Sequence, residues 1–267
     1  MANVLDRILA DKRVEVEQSK ARVPQDRLQA QAAGLPRCRN FYKAVTKPHA
    51  RGINVVAEVK RASPSAGLIR EDFDPVAIAR TYEQCGADAI SVLTDEKYFQ
   101  GRLEYLTAVR QAVSVPVLRK DFILDPYQVY EARVAGADAI LLIAEALKVG
   151  QLSDLLILAS QLTLTVLLEV HEADVLMQVR SMIGFPQGGF SVLGINNRSL
   201  ATLEVDMNTT PRLAGLVEDP DGLVAESGIR TRADVQRMKA AGATAVLVGQ
   251  ALCEQGDIDK AFSELFG

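Results

Sequence analysis

"AGADAILLI" (135–143) is one of three near copies in the chain; the others are "CGADAISVL" (85–93) and "AGATAVLVG" (241–249). In each, a helical pattern runs into a glycine, a small residue pair follows, and an apolar run rich in β-branched residues begins. Glycine supplies the left-handed backbone that closes a helix. The apolar run reads as a strand covered on both faces. A helix-to-strand junction used three times predicts alternating helices and strands, the pattern of a parallel sheet.

Working outward, apolar β-branched runs predict strands at about 54–60, 88–94, 115–120, 138–143, 163–169, 191–196, 222–227 and 244–249. Helical patterns fall between them at about 75–85, 102–112, 126–135, 150–160, 172–183, 209–217 and 231–241, and one helix is expected after the last strand. Asp74-Pro75 and Asp125-Pro126 each put a capping acid before a proline at the first helical position. An open doubly wound sheet would normally carry a glycine-rich phosphate loop after its first strand; neither GxGxxG nor GxxxxGK[ST] occurs here. The expected fold is α/β, a (β/α)8 barrel, which usually needs about 250 residues. The 267 residues fit one such domain, with 1–53 as a helical extension before strand 1. In that extension Val4, Leu5, Ile8 and Leu9 form a stripe and "RNFYKAV" (39–45) reads as a short helix. These pieces plug the barrel bottom, pack on its side or lean over its mouth; the sequence does not decide.

Hydrophobic residues make up 48 % and charged residues 24 % of the chain, and the net charge is −4. No basic run stands out, which makes nucleic acid and anionic membrane surfaces poor partners. Cys38, Cys85 and Cys253 are far apart, an odd count without CxxC spacing, so neither a disulfide framework nor a zinc site is expected. The N-terminus "MANVLDRILADKRVEVEQSK" is charged throughout, unlike a signal peptide. No apolar run is long enough to span a bilayer. A cytoplasmic location is the expectation.

In a barrel of this kind the C-terminal strand ends line the active site. Strand 1 offers Glu58 and Lys60, two residues apart and therefore on one face. Strand 3 offers Lys120, strand 5 Glu169, strand 6 Asn196 and Arg198, and strand 7 Glu226 and Ser227. Glu58 and Lys60 taken alone would pass for a structural ion pair. Five or more ionisable residues at one mouth exceed what packing requires, because each unpaired buried charge costs several kcal/mol. A mixture of lysines and carboxylates suits proton transfers on an anionic substrate. Glycine-containing turns in "ESGIR" (226–230) and "VGQAL" (248–252) follow the last two strands, where this fold usually holds phosphate; Gly228, Gly249 and Gln250 are the candidates. His49 falls in a polar segment, and His171, two residues beyond Glu169, either faces the mouth or, as loop histidines more often do, sits in solvent.

The segments "AEVKRASPS", "SVLTDEKYFQG", "VLRKDFI", "LLEVH", "GINNRSL" and "AESGI", in this order, resemble indole-3-glycerol phosphate synthase over essentially the whole chain. The resemblance implies ring closure of 1-(2-carboxyphenylamino)-1-deoxyribulose 5-phosphate with loss of CO2 and water, a lyase step of tryptophan biosynthesis. It implies no cofactor and no metal. By motif, Lys120 resembles the general acid that activates the carbonyl, Lys60 the lysine that holds the substrate carboxylate and assists dehydration, and Glu58 the base of rearomatisation. Glu169 and Asn196 resemble the pair that orients the lysine and the sugar hydroxyls. Arg198, Glu226 and Ser227 match further site positions, Ser63 matches a residue of the loop after strand 1, and Phe99 and Phe122 resemble the apolar walls around the anthranilate ring. Family members often carry a serine soon after the last-strand glycine, where this chain reads "GQALC" (249–253). Main-chain N–H groups of Gly249 and Gln250 are then expected to hold the phosphate without that hydroxyl.

The rival enzymes are other phosphate-binding barrels. Phosphoribosylanthranilate isomerase would be expected to use a Cys/Asp pair, and no strand-end cysteine suits it. A Schiff-base aldolase using Lys120 or Lys60 would be trapped as an adduct by borohydride. A non-catalytic barrel should have lost at least one of Glu58, Lys60, Lys120 or Glu169, and all four are present. The loop "RASPSAGLIRED" (61–72) is expected to be mobile until ligand binds. A monomer or weak homodimer, acting on a small phosphorylated substrate, is the expected form.

Overall fold

A computed structural model describes residues 3–182, 190–217 and 221–267. Eight strands form the ring: β1 Asn54–Val59, β2 Ala89–Leu93, β3 Val117–Lys120, β4 Ala139–Ile143, β5 Thr165–Val170, β6 Ser191–Asn196, β7 Leu223–Glu226 and β8 Ala245–Val248. Each pairs in parallel with the next, and β1 closes on β8 through the register Asn54↔Ala245 to Ala57↔Val248. This is a closed (β/α)8 barrel. Almost every strand residue is buried, as the continuous apolar runs require of strands covered by barrel interior and helices.

Helices alternate with the strands: α4 Pro75–Gln84, α6 Leu103–Ala112, α7 Pro126–Ala135, α8 Val149–Gln161, α9 Ala173–Met182, α10 Thr209–Ala214 and α11 Arg232–Ala240. The two Asp-Pro starts are built as read. Asp74 accepts from the N–H groups of Val76 and Ala77, and Asp125 forms a reciprocal capping box with Gln128. Residue 183 of the expected 172–183 helix lies outside the described residues. A single turn, α5 Glu96–Phe99, was not anticipated; Asp95 caps it through the Tyr98 N–H. The one helix expected after β8 is two, α12 Gln250–Cys253 and α13 Ile258–Phe266, because Asp257 caps a new start after Gly256.

The repeated junction does more than end a helix. Asp138 accepts from the Val117 N–H at 3.0 Å and pairs with Arg110 at 2.8 Å. Asp88 accepts from the Val55 N–H at 2.9 Å and pairs with Arg51 and Lys47. The third copy has Thr244, whose hydroxyl donates to the Leu223 carbonyl at 3.2 Å. The same repeat position thus ties each of these strands to its neighbour at the barrel bottom, where open main-chain groups need partners.

The N-terminal segment satisfies each placement left open by the sequence, with different helices. α3 Phe41–Thr46 seals the bottom: Asn54, the first residue of β1, donates to the carbonyls of Val45 and Lys47. α1 Val4–Arg22 lies over the mouth. Its Lys12, 1 % exposed, sits 2.9 Å from both Asp95 and Asp121, which follow β2 and β3. α2 Gln25–Ala33 packs along α7. No helix of the described residues is long and apolar enough to cross a membrane.

Candidate active site

The strand ends open on a cavity of about 340 Å³. Glu58, Lys60, Lys120, Glu169, Asn196 and Glu226 line it. So do Ser63, Phe99, Phe122, Arg198 and Ser227, and the three turn residues Gly228, Gly249 and Gln250. Strand alternation explains the selection. In "VLRKD" Lys120 points to the cavity, while Arg119 turns away into a buried network with Asp121, Glu131 and Thr94. In "GINNR" Asn196 faces the cavity. Asn197 turns outward, accepts from both the N–H and the hydroxyl of Thr210, and donates to the Ser227 carbonyl, fixing the β6 and β7 loops together.

Two charge groups result. On β1, Lys60 Nζ lies 2.5 Å from Glu58 Oε1, so the face shared by acid and base is an ion pair in the resting protein. Across the barrel, Lys120 Nζ lies 3.0 Å from Glu169 Oε2 and 3.2 Å from Glu226 Oε2. Burial disfavours the Lys120 ammonium, but Glu169, Glu226 and Glu58 more than offset it and hold the amine well above the ordinary lysine range. Burial also pushes both carboxyls up. For Glu169 the Lys120 and His171 charges reverse that and hold it far below the usual range. For Glu226 the Lys120 charge compensates only part of the burial, the ionised Glu169 adds to it, and the group is pushed up to about 8. Near neutral pH the pair therefore shares one proton, and burial beside the ionised Glu169 pushes Glu226 toward holding it.

The backbone is shaped around these groups. Gly194 on β6 stands where a Cβ would collide with the Glu226 carboxylate and come within 3.0 Å of Leu167. Ser227 and Gly228 both adopt left-handed conformations, with φ of 62° and 79°, which ends β7 and turns the chain beneath the cavity rim. Phe99 and Phe122 make an aromatic wall with ring centroids 6.2 Å apart. Ser63 belongs to a small hairpin, Ala62–Ser63 against Gly67–Leu68, in the loop after β1; residues 64–68 at its tip are exposed. At its base Arg70 donates to the Gln255 carbonyl at 2.9 Å. Arg198 is steadied by its N–H on Asn196 Oδ1 and its guanidinium on the Leu203 carbonyl. The Gln250 side chain turns aside to Glu254 at 3.2 Å.

Three features add to the strand-end residues. His171 is not solvated: it is 7 % exposed, with Nε2 3.3 Å from Glu169 Oε1 and Nδ1 3.1 Å from Glu145 Oε2. Its even spacing from Glu169 put it on the same strand face, and that was the available signal. Val4, Leu5 and Ile8 of α1 line the cavity, as do Leu200, Leu203 and Val205 of the loop after β6. Arg230 also lines it, an exposed cation near Arg198. Leu200, Leu203, Val205 and Arg230 lie beyond the strand ends, where no strand pattern marks them; the Val4, Leu5 and Ile8 stripe was legible as a helix face.

The model of the family described as indole-3-glycerol phosphate synthase matches residues 5–265. A protein of that name from Rhodopirellula baltica is 50 % identical over 255 residues, 96 % of this chain and 95 % of its own length. Another from Chlorobium chlorochromatii is 46 % identical over 248 residues, 93 % and 94 % of the two chains. Among solved structures, a 3-hexulose-6-phosphate synthase superposes with a TM-score of 0.60 at 17 % identity, over 80 % of this chain and 98 % of that one. A thiamine phosphate pyrophosphorylase from Pyrococcus furiosus gives 0.58 at 17 %, over 81 % and 96 %. At such identities these two speak for the barrel alone.

Proposed function

The chain belongs to the indole-3-glycerol phosphate synthase family, and we propose that its mouth residues divide the family's reaction among themselves as follows. That reaction closes the indole ring of 1-(2-carboxyphenylamino)-1-deoxyribulose 5-phosphate, releasing CO2 and water, within tryptophan biosynthesis. Lys120 hands its proton to the ribulose carbonyl oxygen as the ring carbon attacks. An alkoxide is a stronger base than any amine, so the transfer runs downhill even from a lysine held tightly by carboxylates. Glu169 and Asn196 keep Lys120 and the sugar hydroxyls in register. Lys60 holds the substrate carboxylate until CO2 leaves and then assists departure of the hydroxyl. Glu58, freed from Lys60, takes the proton whose loss restores aromaticity. Arg198 and Ser227 bind the substrate beside them, and Ser63 joins from its loop. Phe99 and Phe122 receive the anthranilate ring. Gly228, Gly249 and Gln250 offer main-chain N–H groups to the phosphate. What each residue supplies to ring closure, loss of CO2 and loss of water is a proton transfer or an electrostatic contact, which a preorganised, largely buried site makes strong.

The observation that supports this division is the meeting of two ammonium groups from different strands, Lys60 and Lys120, each with its own carboxylate, around one cavity. We further propose that 1–53 and the barrel form one domain, that the protein works in the cytoplasm and that it is a monomer or weak homodimer. Indole fluorescence during turnover of the ribulose phosphate by purified protein tests the assignment. Lys120→Ala should lose about 10²–10⁴-fold in kcat, the usual contribution of a positioned acid, with unchanged circular dichroism. Near-normal turnover by that variant would overturn the role given to Lys120.

A further inference from the structure

His171 is a buried titratable group that the proposed steps do not use. It stands between two carboxylates from different elements. Glu145, in the turn Ala144–Ala146 after β4, accepts from the His171 N–H at 2.7 Å through Oε1 and faces its Nδ1 at 3.1 Å through Oε2. Glu169, on the same strand as His171, faces Nε2 at 3.3 Å. The other oxygen of Glu169 faces Lys120, and Lys120 faces Glu226 on β7. Five ionisable groups from four strand ends thus form one line: Glu145, His171, Glu169, Lys120, Glu226. Glu172 beside them is exposed, and only its main-chain N–H joins, on Glu145.

We propose that His171 is a positioning residue: an imidazolium anchored by Glu145, it holds Glu169 ionised and aimed at Lys120, and so leaves the shared proton on Glu226. The charge count supports it. With His171 and Lys120 positive, Glu145 and Glu169 negative, and Glu226 neutral, the line balances without solvent. A neutral histidine would leave an excess buried carboxylate, which costs several kcal/mol. Burial opposes the imidazolium, but Glu145 and Glu169 overcome it and push the ring up to about 10. The consequence for catalysis is directional. A Lys120 gripped by two ionised carboxylates is a poorer acid than one gripped by a single carboxylate, so keeping Glu226 neutral keeps Lys120 able to give its proton.

This inference rests on the role given to Lys120 above, and its test separates the two. Replacing His171 by Asn removes a positive charge close to the carboxyl pair and must raise both of its titrations, by about one pH unit or more. In His171→Asn, both limbs of the kcat/KM–pH profile should move to higher pH together. Glu145→Gln removes a negative charge from the same line and leaves the imidazolium in place on Glu169, so it should move them the other way, to lower pH. Lower activity with wild-type limbs in both variants would make His171 merely structural and overturn the proposal. Should neither variant fold, the resting wild-type protein still decides. It contains two histidines, so 15N-histidine NMR resolves them. His171 should stay protonated on both nitrogens past pH 8. His49, pushed down by burial and by Arg51, should lose its proton below the usual histidine range. A His171 that titrates between about pH 6 and 7 overturns the inference whatever the enzyme does. A wild-type protein that forms no indole product would instead overturn the proposed function, leaving the histidine titration standing.

Discussion

Lys12→Met tests how the N-terminal helix is held over the mouth. The Lys12 ammonium is buried, 2.9 Å from each of Glu15, Asp95 and Asp121. Removing one partner of a buried pair typically costs 3–5 kcal/mol, because the other charge is stranded. Here the remaining acids keep some support: Asp121 retains Arg119 at 3.1 Å and the Thr94 hydroxyl at 2.6 Å, and Asp95 retains the Tyr98 N–H. The lower figure therefore applies, about 3 kcal/mol, or roughly a hundredfold in an opening equilibrium. The barrel does not depend on Lys12, so the loss should fall on docking of α1. Hydrogen exchange should quicken about a hundredfold in α1 while β1–β8 stay protected, and KM should rise because Val4, Leu5 and Ile8 line the cavity. The pH dependence has a definite sign. Asp95 and Asp121 hold Lys12 well above its ordinary 10.5 despite burial, so this support is complete below about 10.5 and fades only as the pH climbs through the higher folded value. Lys12 and Arg119 hold Asp121 below its ordinary 3.8, so its share is complete above about 3.8 and fades as the pH falls through the lower folded value. Burial pushes Glu15 above its ordinary 4.5, so docking should also weaken as the pH rises from 4.5 through that raised value, and be flat from there to about pH 9. Exchange in α1 of the variant within about threefold of wild type would refute the reasoning.

Two further outcomes are expected. Gln250→Ala should leave KM within about threefold, since the side chain is turned to Glu254 and only the main chain is offered to phosphate; a rise beyond tenfold would show that the amide itself binds. The loop 61–72 should exchange its amide hydrogens more slowly when product is bound, because its tip is exposed and only its base is tied to the Gln255 carbonyl; equal exchange with and without product would contradict closure.

Much of the fold was legible because it is written locally. The three Gly-Ala-Asp/Thr junctions, the two Asp-Pro starts and the apolar runs each need only neighbouring residues to be read, and the strands they predict differ from the observed ones by one or two residues at the ends. Those ends shift for reasons of backbone: Thr163, Gly222 and Ser227 are left-handed, with φ of 60°, 89° and 62°, and cannot continue a strand. Strand alternation likewise put Glu58 and Lys60 on one face.

Charge states and covers were not legible, because they are set by residues far apart in the chain. Glu169 and Glu226 are the same residue type at equivalent strand ends, yet one is held ionised and the other is pushed up to about 8. Lys120 faces both, and the difference is that His171 faces Glu169 as well. The place of His171, at the mouth or in solvent, was left open because its second carboxylate, Glu145, comes from another strand end, 26 residues earlier in the chain. The division of the first 53 residues into α1 over the mouth and α3 beneath the ring rests on Lys12 meeting Asp95 and Asp121, and on Asn54 meeting Val45 and Lys47. The sequence by itself thus determined the strands of the ring and most of the helices, since periodicity and caps act within a few residues. Only closure of the ring decided which charges share a proton, because electrostatic coupling follows distance in space rather than along the chain.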